Sequence, residues 1–122
     1  MQYLLMIHSD ESRWNSLSDE ENGAILARYG DRYGAMVAEK VVVDGKRLHD
    51  SSSATTVRVR NGELLTTAGP FSELKEQLGG FFLIDVPDLD AAIGWARRIP
   101  GAEYGSIEVR PVVVGEGDEK CS

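Results

Sequence analysis

The chain has 122 residues and a mass of 13.4 kDa, the size of one domain that buries roughly two-thirds of its unfolded surface. Hydrophobic residues at 42% and charged residues at 27% give an ordinary globular balance, which excludes a mainly disordered chain. A formal net charge of −7 and an isoelectric point near 4.8 argue against nucleic acid or an anionic membrane as partner, because phosphate recognition needs clustered Lys and Arg.

The single cysteine, Cys121, leaves no disulfide framework and no cysteine metal cage within one chain, and fits a reducing, cytoplasmic setting. No apolar run approaches the roughly 20 residues of a membrane helix. The stretch Met1 to His8 lacks a basic leader and soon turns acidic, so it does not read as a signal peptide.

Tyr3–Ile7 is an apolar run that reads as a central strand buried on both faces. A polar loop follows. Ser18 and Glu21 then form a capping box, with Asp19 and Glu20 suited to the positive end of a helix. Ile25, Leu26, Tyr29, Tyr33, Met36 and Val37 recur at helical spacing, predicting an amphipathic helix over about 19–39. Val41–Val43 starts a strand that Asp44-Gly45 is expected to break, and a polar loop runs through Ser51–Ser53.

Asn61-Gly62 lies between the β-rich runs Ala54–Arg60 and Glu63–Thr67. It is a strong hairpin signal, because a type I′ turn needs φ > 0 at both central residues. A two-residue loop sets Arg60 opposite Glu63 and Val59 opposite Leu64. Gly69-Pro70 ends that strand, and Ser72–Gln77 is expected to form a short helical turn. Gly80–Val86 is a further apolar strand, interrupted by Asp85. Asp88 is the expected N-cap of a helix whose inner stripe is Leu89, Ala92, Ile93 and Ala96, ended by Pro100-Gly101. Ser106–Val114 reads as the last strand. Residues 1–114 thus make one domain, and 115–122 a charged, flexible C-terminal tail.

This order is a βαββαβ plan with an extra hairpin. It implies an α+β fold: a ferredoxin-like antiparallel sheet with both helices on one face. The strands Tyr3–Ile7 and Phe81–Ile84 are apolar on both sides, so a second subunit packed sheet on sheet is expected, giving a homodimer.

The segment from Thr67 to Val86, containing Gly69-Pro70-Phe71, Glu73, Lys75 and Gly80, resembles the hallmark of the YCII-related proteins, in particular the DGPF-domain subfamily. Tyr3–His8, Ala54–Arg60 and Ile107–Val112 match in the same order, so the resemblance covers nearly the whole chain. It implies a dimeric α/β barrel of ferredoxin-like protomers. Most relatives have no established reaction, some members of the broader superfamily are enzymes on small organic molecules, and several are associated genetically with sigma factors. The family motif is Asp-Gly-Pro-Phe, whereas this chain reads Ala68-Gly69-Pro70-Phe71, so the carboxylate that names the motif is missing. Leu74 also stands where a small hydroxyl residue is common.

His8 ends the first strand where the chain leaves the sheet; it reads as a general acid or base, or as a polar strand-end cap. His49, beside Asp50, reads as a ligand contact or as a solvated loop residue. Lys75 holds an anionic group or acts as a base if desolvated; otherwise it pairs with Glu73 or Glu76. Asp85 is a buried, hydrogen-bonded carboxylate or, preferably, an outward one. Arg110 clamps a ligand carboxylate or, preferably, pairs with an acidic residue on the sheet. Gly79-Gly80 lacks the Lys-Ser/Thr ending of a phosphate loop, and two histidines among scattered carboxylates make no metal-spacing motif, so neither a cofactor nor a metal is implied. Trp14 and Trp95 read as packing residues.

The expected pocket is bounded by His8 and the Gly69–Lys75 segment, with Gly69, Pro70, Phe71, Glu73 and His49 as ligand contacts and His8 and Lys75 as candidate catalytic groups. Two functions compete. One is a ligand-binding or regulatory homodimer, favoured by the missing motif carboxylate. The other is a cofactor-independent enzyme doing acid-base chemistry on a small anionic organic molecule.

Overall fold

The computed structural model describes residues 1–113. Val114, the last residue of the expected final strand, and the expected tail at 115–122, with Cys121, lie outside them. Strand β1 (Gln2–Ser9) lies at the centre of a four-stranded sheet, between β5 (Gln77–Asp85) and β6 (Ser106–Pro111), with β2 (Val42–Arg47) beyond β5. Every neighbouring pair is antiparallel. The order β2-β5-β1-β6 is that of a βαββαβ unit with a hairpin inserted between β2 and β5. The sheet is open, so the described chain by itself forms no closed barrel.

Alternation along β1 decides which face is the core. Tyr3, Leu5 and Ile7 are buried, and their partners Ile84, Phe82 and Gly80 on β5 share that face. Helix α2 (Asp19–Ala38) sends Met36 into this layer, and α3 (Leu89–Ala96) adds Ala92, Trp95 and Ala96. Both helices therefore cover one face. On the opposite face Leu4, Met6, Phe81 and Leu83 are only half-buried, so the strands expected to be buried on both sides are covered on one by this chain.

The helix starts follow their caps. Ser18 Oγ accepts from the Glu21 amide and Glu21 Oε1 from the Ser18 amide, each at 3.1 Å, which closes the capping box of α2. Asp88 accepts from the Ala91 amide at 2.9 Å and starts α3. α3 ends at Ala96, and Pro100 opens a separate 3₁₀ turn rather than terminating the helix.

Three local expectations are corrected. The loop before α2 contains a short helix, α1 (Glu11–Ser16), capped by Asp10, which accepts from the Ser12 amide at 2.9 Å. Strand β2 runs through Asp44-Gly45 instead of breaking there. Its register slips between Val42 and Asp44, and Gly45 stays in the strand because the Phe82 ring lies over it, 2.7 Å from where a Cβ would stand. Ser72–Gln77 forms bends and the start of β5, not a helical turn.

The hairpin of β3 (Thr55–Arg60) and β4 (Glu63–Ala68) forms a sheet of its own with the expected register, Arg60 against Glu63 and Val59 against Leu64. Asn61 and Gly62 have φ of 52° and 79°, the two positive values a type I′ turn requires. Every residue of β4 is exposed.

Candidate functional site

A groove of about 780 Å³ opens between α1, α2 and the β2–β5 side of the sheet. That volume falls in the range of small-molecule sites. Its floor is Ile7, Phe82 and the glycine backbone of Gly45, Gly79 and Gly80. Gly80 is required there, because a Cβ would lie 2.8 Å from the Lys46 carbonyl on the neighbouring strand. Tyr29, Gly30 and Tyr33 face the groove from α2, and Arg13 and Trp14 from α1. Lys46, Arg47 and His49 line it from β2 and the residues that follow.

The position of α1 is determined by side chains that tie it to its surroundings. The Glu11 amide donates to Gln77 Oε1 at 3.1 Å. The Glu11 carboxylate accepts from the Ser51 amide at 2.6 Å and from the Ser51 hydroxyl. Asn15 Nδ2 donates to Asp50 at 3.4 Å.

These contacts also engage the groove's acidic groups. Asp10 accepts from the Ser12 hydroxyl at 2.6 Å as well as from its amide, and Ser12 holds the carboxyl below the usual range. Asp50 accepts from the Ser52 amide at 3.2 Å, and that bond together with Asn15 lowers its pKa.

The guanidinium groups are arranged differently. Arg13 lies over the Tyr104 ring, 4.0 Å from its centroid, and Arg47 over Trp14, 4.8 Å away. Neither makes an ion pair among the described residues; Glu21, which feels the Arg13 charge, is held by Ser18. At the inner end, burial and the neighbouring Tyr104 push the Tyr29 hydroxyl up to about 12, so it remains a neutral phenol. The groove thus offers cations on aromatic rings while its carboxylates are occupied by backbone and hydroxyl donors.

The candidate residues separate into three places. His49 lines the groove. Lys75 makes no ion pair with Glu73 or Glu76, and its charge reaches Asp10 on the groove wall; Glu76 accepts instead from the Ser106 hydroxyl at 2.9 Å. His8 points to the helix-free face, where Nε2 lies 3.2 Å from Glu108 Oε1, and Glu108 also pairs with Arg110. Gly69, Pro70, Phe71 and Glu73 lie in the loop after β4, outside the groove. Gly69 takes φ of 95°, its amide donates to Ala54 O at 2.7 Å, and its carbonyl accepts from the Thr56 hydroxyl at 2.8 Å. Phe71 is 81% exposed.

Asp85 is exposed and pairs with the N-terminal ammonium at 2.8 Å, the outward reading. Trp95 packs in the core as expected, whereas Trp14 lines the groove. Sequence reasoning missed Arg13, Trp14 and Arg47; their signal was an Arg-Trp pair in a segment taken as loop, and it needed β2 to become visible. Among the described residues, no cluster of three or more His, Cys, Asp or Glu is arranged to hold a metal ion, and no helix is long and apolar enough to cross a membrane.

Residues 1–115 match the YCII-related domain. The chain belongs to the YCII-related family. This YCII-related protein is 38% identical to an uncharacterized protein of Rhizobium meliloti, over 93% of the present chain and 94% of that relative. The similarity extends along both proteins, so the groove-forming elements fall within it.

Proposed function

We propose that this YCII-related protein is a homodimer that binds a small anionic organic molecule in the α1–α2 groove, in a ligand-binding or regulatory role. The groove's two guanidinium groups, each on an aromatic ring and neither in an ion pair, carry this reading. The dimer is supported by the half-buried Leu4, Met6, Phe81 and Leu83 on the helix-free face, which sheet-on-sheet packing would cover. The Ala68–Phe71 turn supports a place beside the DGPF-domain proteins, with alanine for the motif carboxylate. Sedimentation at micromolar concentration is expected to show a dimer. A monomer alone would refute the assembly, while calorimetric titration with small organic acids tests the binding role separately.

A second reading draws on one observation, the His8–Glu108 contact, since a carboxylate beside an imidazole is the arrangement of an oriented acid-base group. It makes the protein a cofactor-independent enzyme acting on a small anion. The contact lies across the sheet from the groove, so the readings are separable. Turnover of an organic acid, lost in His8→Gln while groove binding persists, favours the enzyme; binding without turnover favours the ligand-holding role.

A further inference from the structure

The groove has a composition more specific than its charge. The chain has nine aromatic residues, and five of them present their rings on the groove's side of the sheet: Trp14, Tyr29, Tyr33, Phe82 and Tyr104. Ring-rich walls favour a flat apolar body, which can stack on or pack edge-on against them. Backbone contributes to the floor and wall at Gly30, Gly45, Gly79 and Gly80, and a Cβ at Gly30 would meet nothing within 4 Å. Arg47 on Trp14 and Arg13 on Tyr104 are planar donors whose stacking leaves their N–H edges available to a carboxylate. Polar side chains also line the groove, but its carboxylates Asp10, Glu11 and Asp50 are engaged by backbone and hydroxyl donors, which leaves the stacked guanidiniums to orient a ring held by its faces.

We propose that the groove selects aromatic carboxylates, with the ring against the aromatic lining and the carboxylate held by the Trp14-supported Arg47, with Arg13 as the second cation. This rests on the groove being a ligand site, as argued above, and adds the chemical class. A saturated acid of equal size keeps the charge and loses the ring faces. The corresponding aromatic amide keeps the rings and loses the charge.

Naphthoate, naphthamide and decalincarboxylate separate these requirements when titrated into the full chain, with amide resonances followed by NMR. Naphthoate is expected to shift the Gly30, Gly45 and Gly80 amides in a saturable way, with naphthamide and decalincarboxylate each roughly tenfold weaker. Arg47→Gln should remove the preference for naphthoate over naphthamide, with the larger loss of affinity on naphthoate; if that variant fails to fold, Arg13→Gln is read in its place. Gly30→Leu should abolish binding of naphthoate with the spectrum otherwise folded, because leucine is the better helix former and its side chain enters open space. Equal affinity for naphthoate and naphthamide, or for naphthoate and decalincarboxylate, would overturn the aromatic-carboxylate class and leave the ligand-binding reading standing. Failure of all three compounds to move those amides would overturn both. A preference for naphthoate that survives both arginine substitutions would also overturn the assignment.

Discussion

In the four-stranded sheet, Leu5 and Ile84 are 0% exposed beneath two helices; in the hairpin β3–β4, Val57, Val59 and Leu64 are 59%, 60% and 68% exposed. Both regions are antiparallel ladders of β-rich sequence, so strand propensity does not separate them. Their sources of stability do. The sheet draws on apolar burial against α2 and α3, whereas the hairpin has its own ladder, its turn and the Gly69 contacts that close its base. Its apolar side, Val57, Val59 and Leu64, faces away from the chain's core, an inversion of the usual pattern that a second copy in the proposed dimer would relieve.

Truncation tests this difference most strongly. Leu5→Ala should cost about 3 kcal/mol in urea unfolding, from lost transfer energy and the cavity left behind. Leu64→Ala should change the stability of the isolated protomer by no more than about 0.5 kcal/mol. Comparable losses at the two positions would erase the distinction. A Leu64→Ala change that weakens dimerisation without altering protomer unfolding would place the hairpin at the interface.

The turn comes next. Gly62 takes φ of 79°, which a β-branched residue resists, so Gly62→Val should cost roughly 2 kcal/mol. The hairpin can open locally, so the loss should appear first as faster amide exchange across β3 and β4 and only partly in global unfolding. Unchanged exchange in that variant would mean the turn does not govern the hairpin.

Where the sequence was legible, one local device determined one local structure. The Asn61-Gly62 turn set its own register, Ser18 with Glu21 started α2, and Asp88 started α3. Gly45 shows the opposite case: Asp-Gly is a turn signal by local chemistry, yet tertiary packing of Phe82 on that glycine keeps it in a strand. α1 was missed because its six residues bury none of their number and are held by Asp10, Gln77 and Ser51, partners spread along the chain. The groove escaped for the same reason. Arg13, Trp14 and Arg47 acquire meaning only once β2 runs beside α1, and nothing in the spacing of 13, 14 and 47 announces that. His8 and Lys75 do leave from one end of the sheet, but alternation turns His8 to the helix-free face, whereas the charge of Lys75 reaches the groove wall through Asp10.

The capping box gives a smaller effect on the buried side of the comparison. Ser18→Ala removes an acceptor for the Glu21 amide and should cost about 1 kcal/mol in thermal or urea unfolding. Ser18→Asp should retain most of that stability, because it restores an acceptor and suits the positive helix end. Equal losses in both variants would assign the effect to something other than the cap.

The smallest expected effect is electrostatic, on the open face of the sheet. The Arg110 bond holds the Glu108 carboxyl below its usual 4.5 against an opposing desolvation, and His8 adds to the lowering. A carboxyl with a depressed folded-state pKa stabilises the fold above its unfolded pKa, and that contribution is lost as pH falls through the folded value. Glu108→Gln should therefore be slightly less stable than the parent above pH 4.5, with the two acid-unfolding curves converging below the lowered folded value. The side chain is 39% exposed, so solvent screens the pair and salt should shrink the difference further. Glu63, opposite Arg60 in the hairpin but in no ion pair among the described residues, is the matching surface control. If Glu63→Gln reproduces the acid-limb change of Glu108→Gln, the effect belongs to net charge, and the Glu108 cluster gives the sheet no electrostatic advantage over the hairpin.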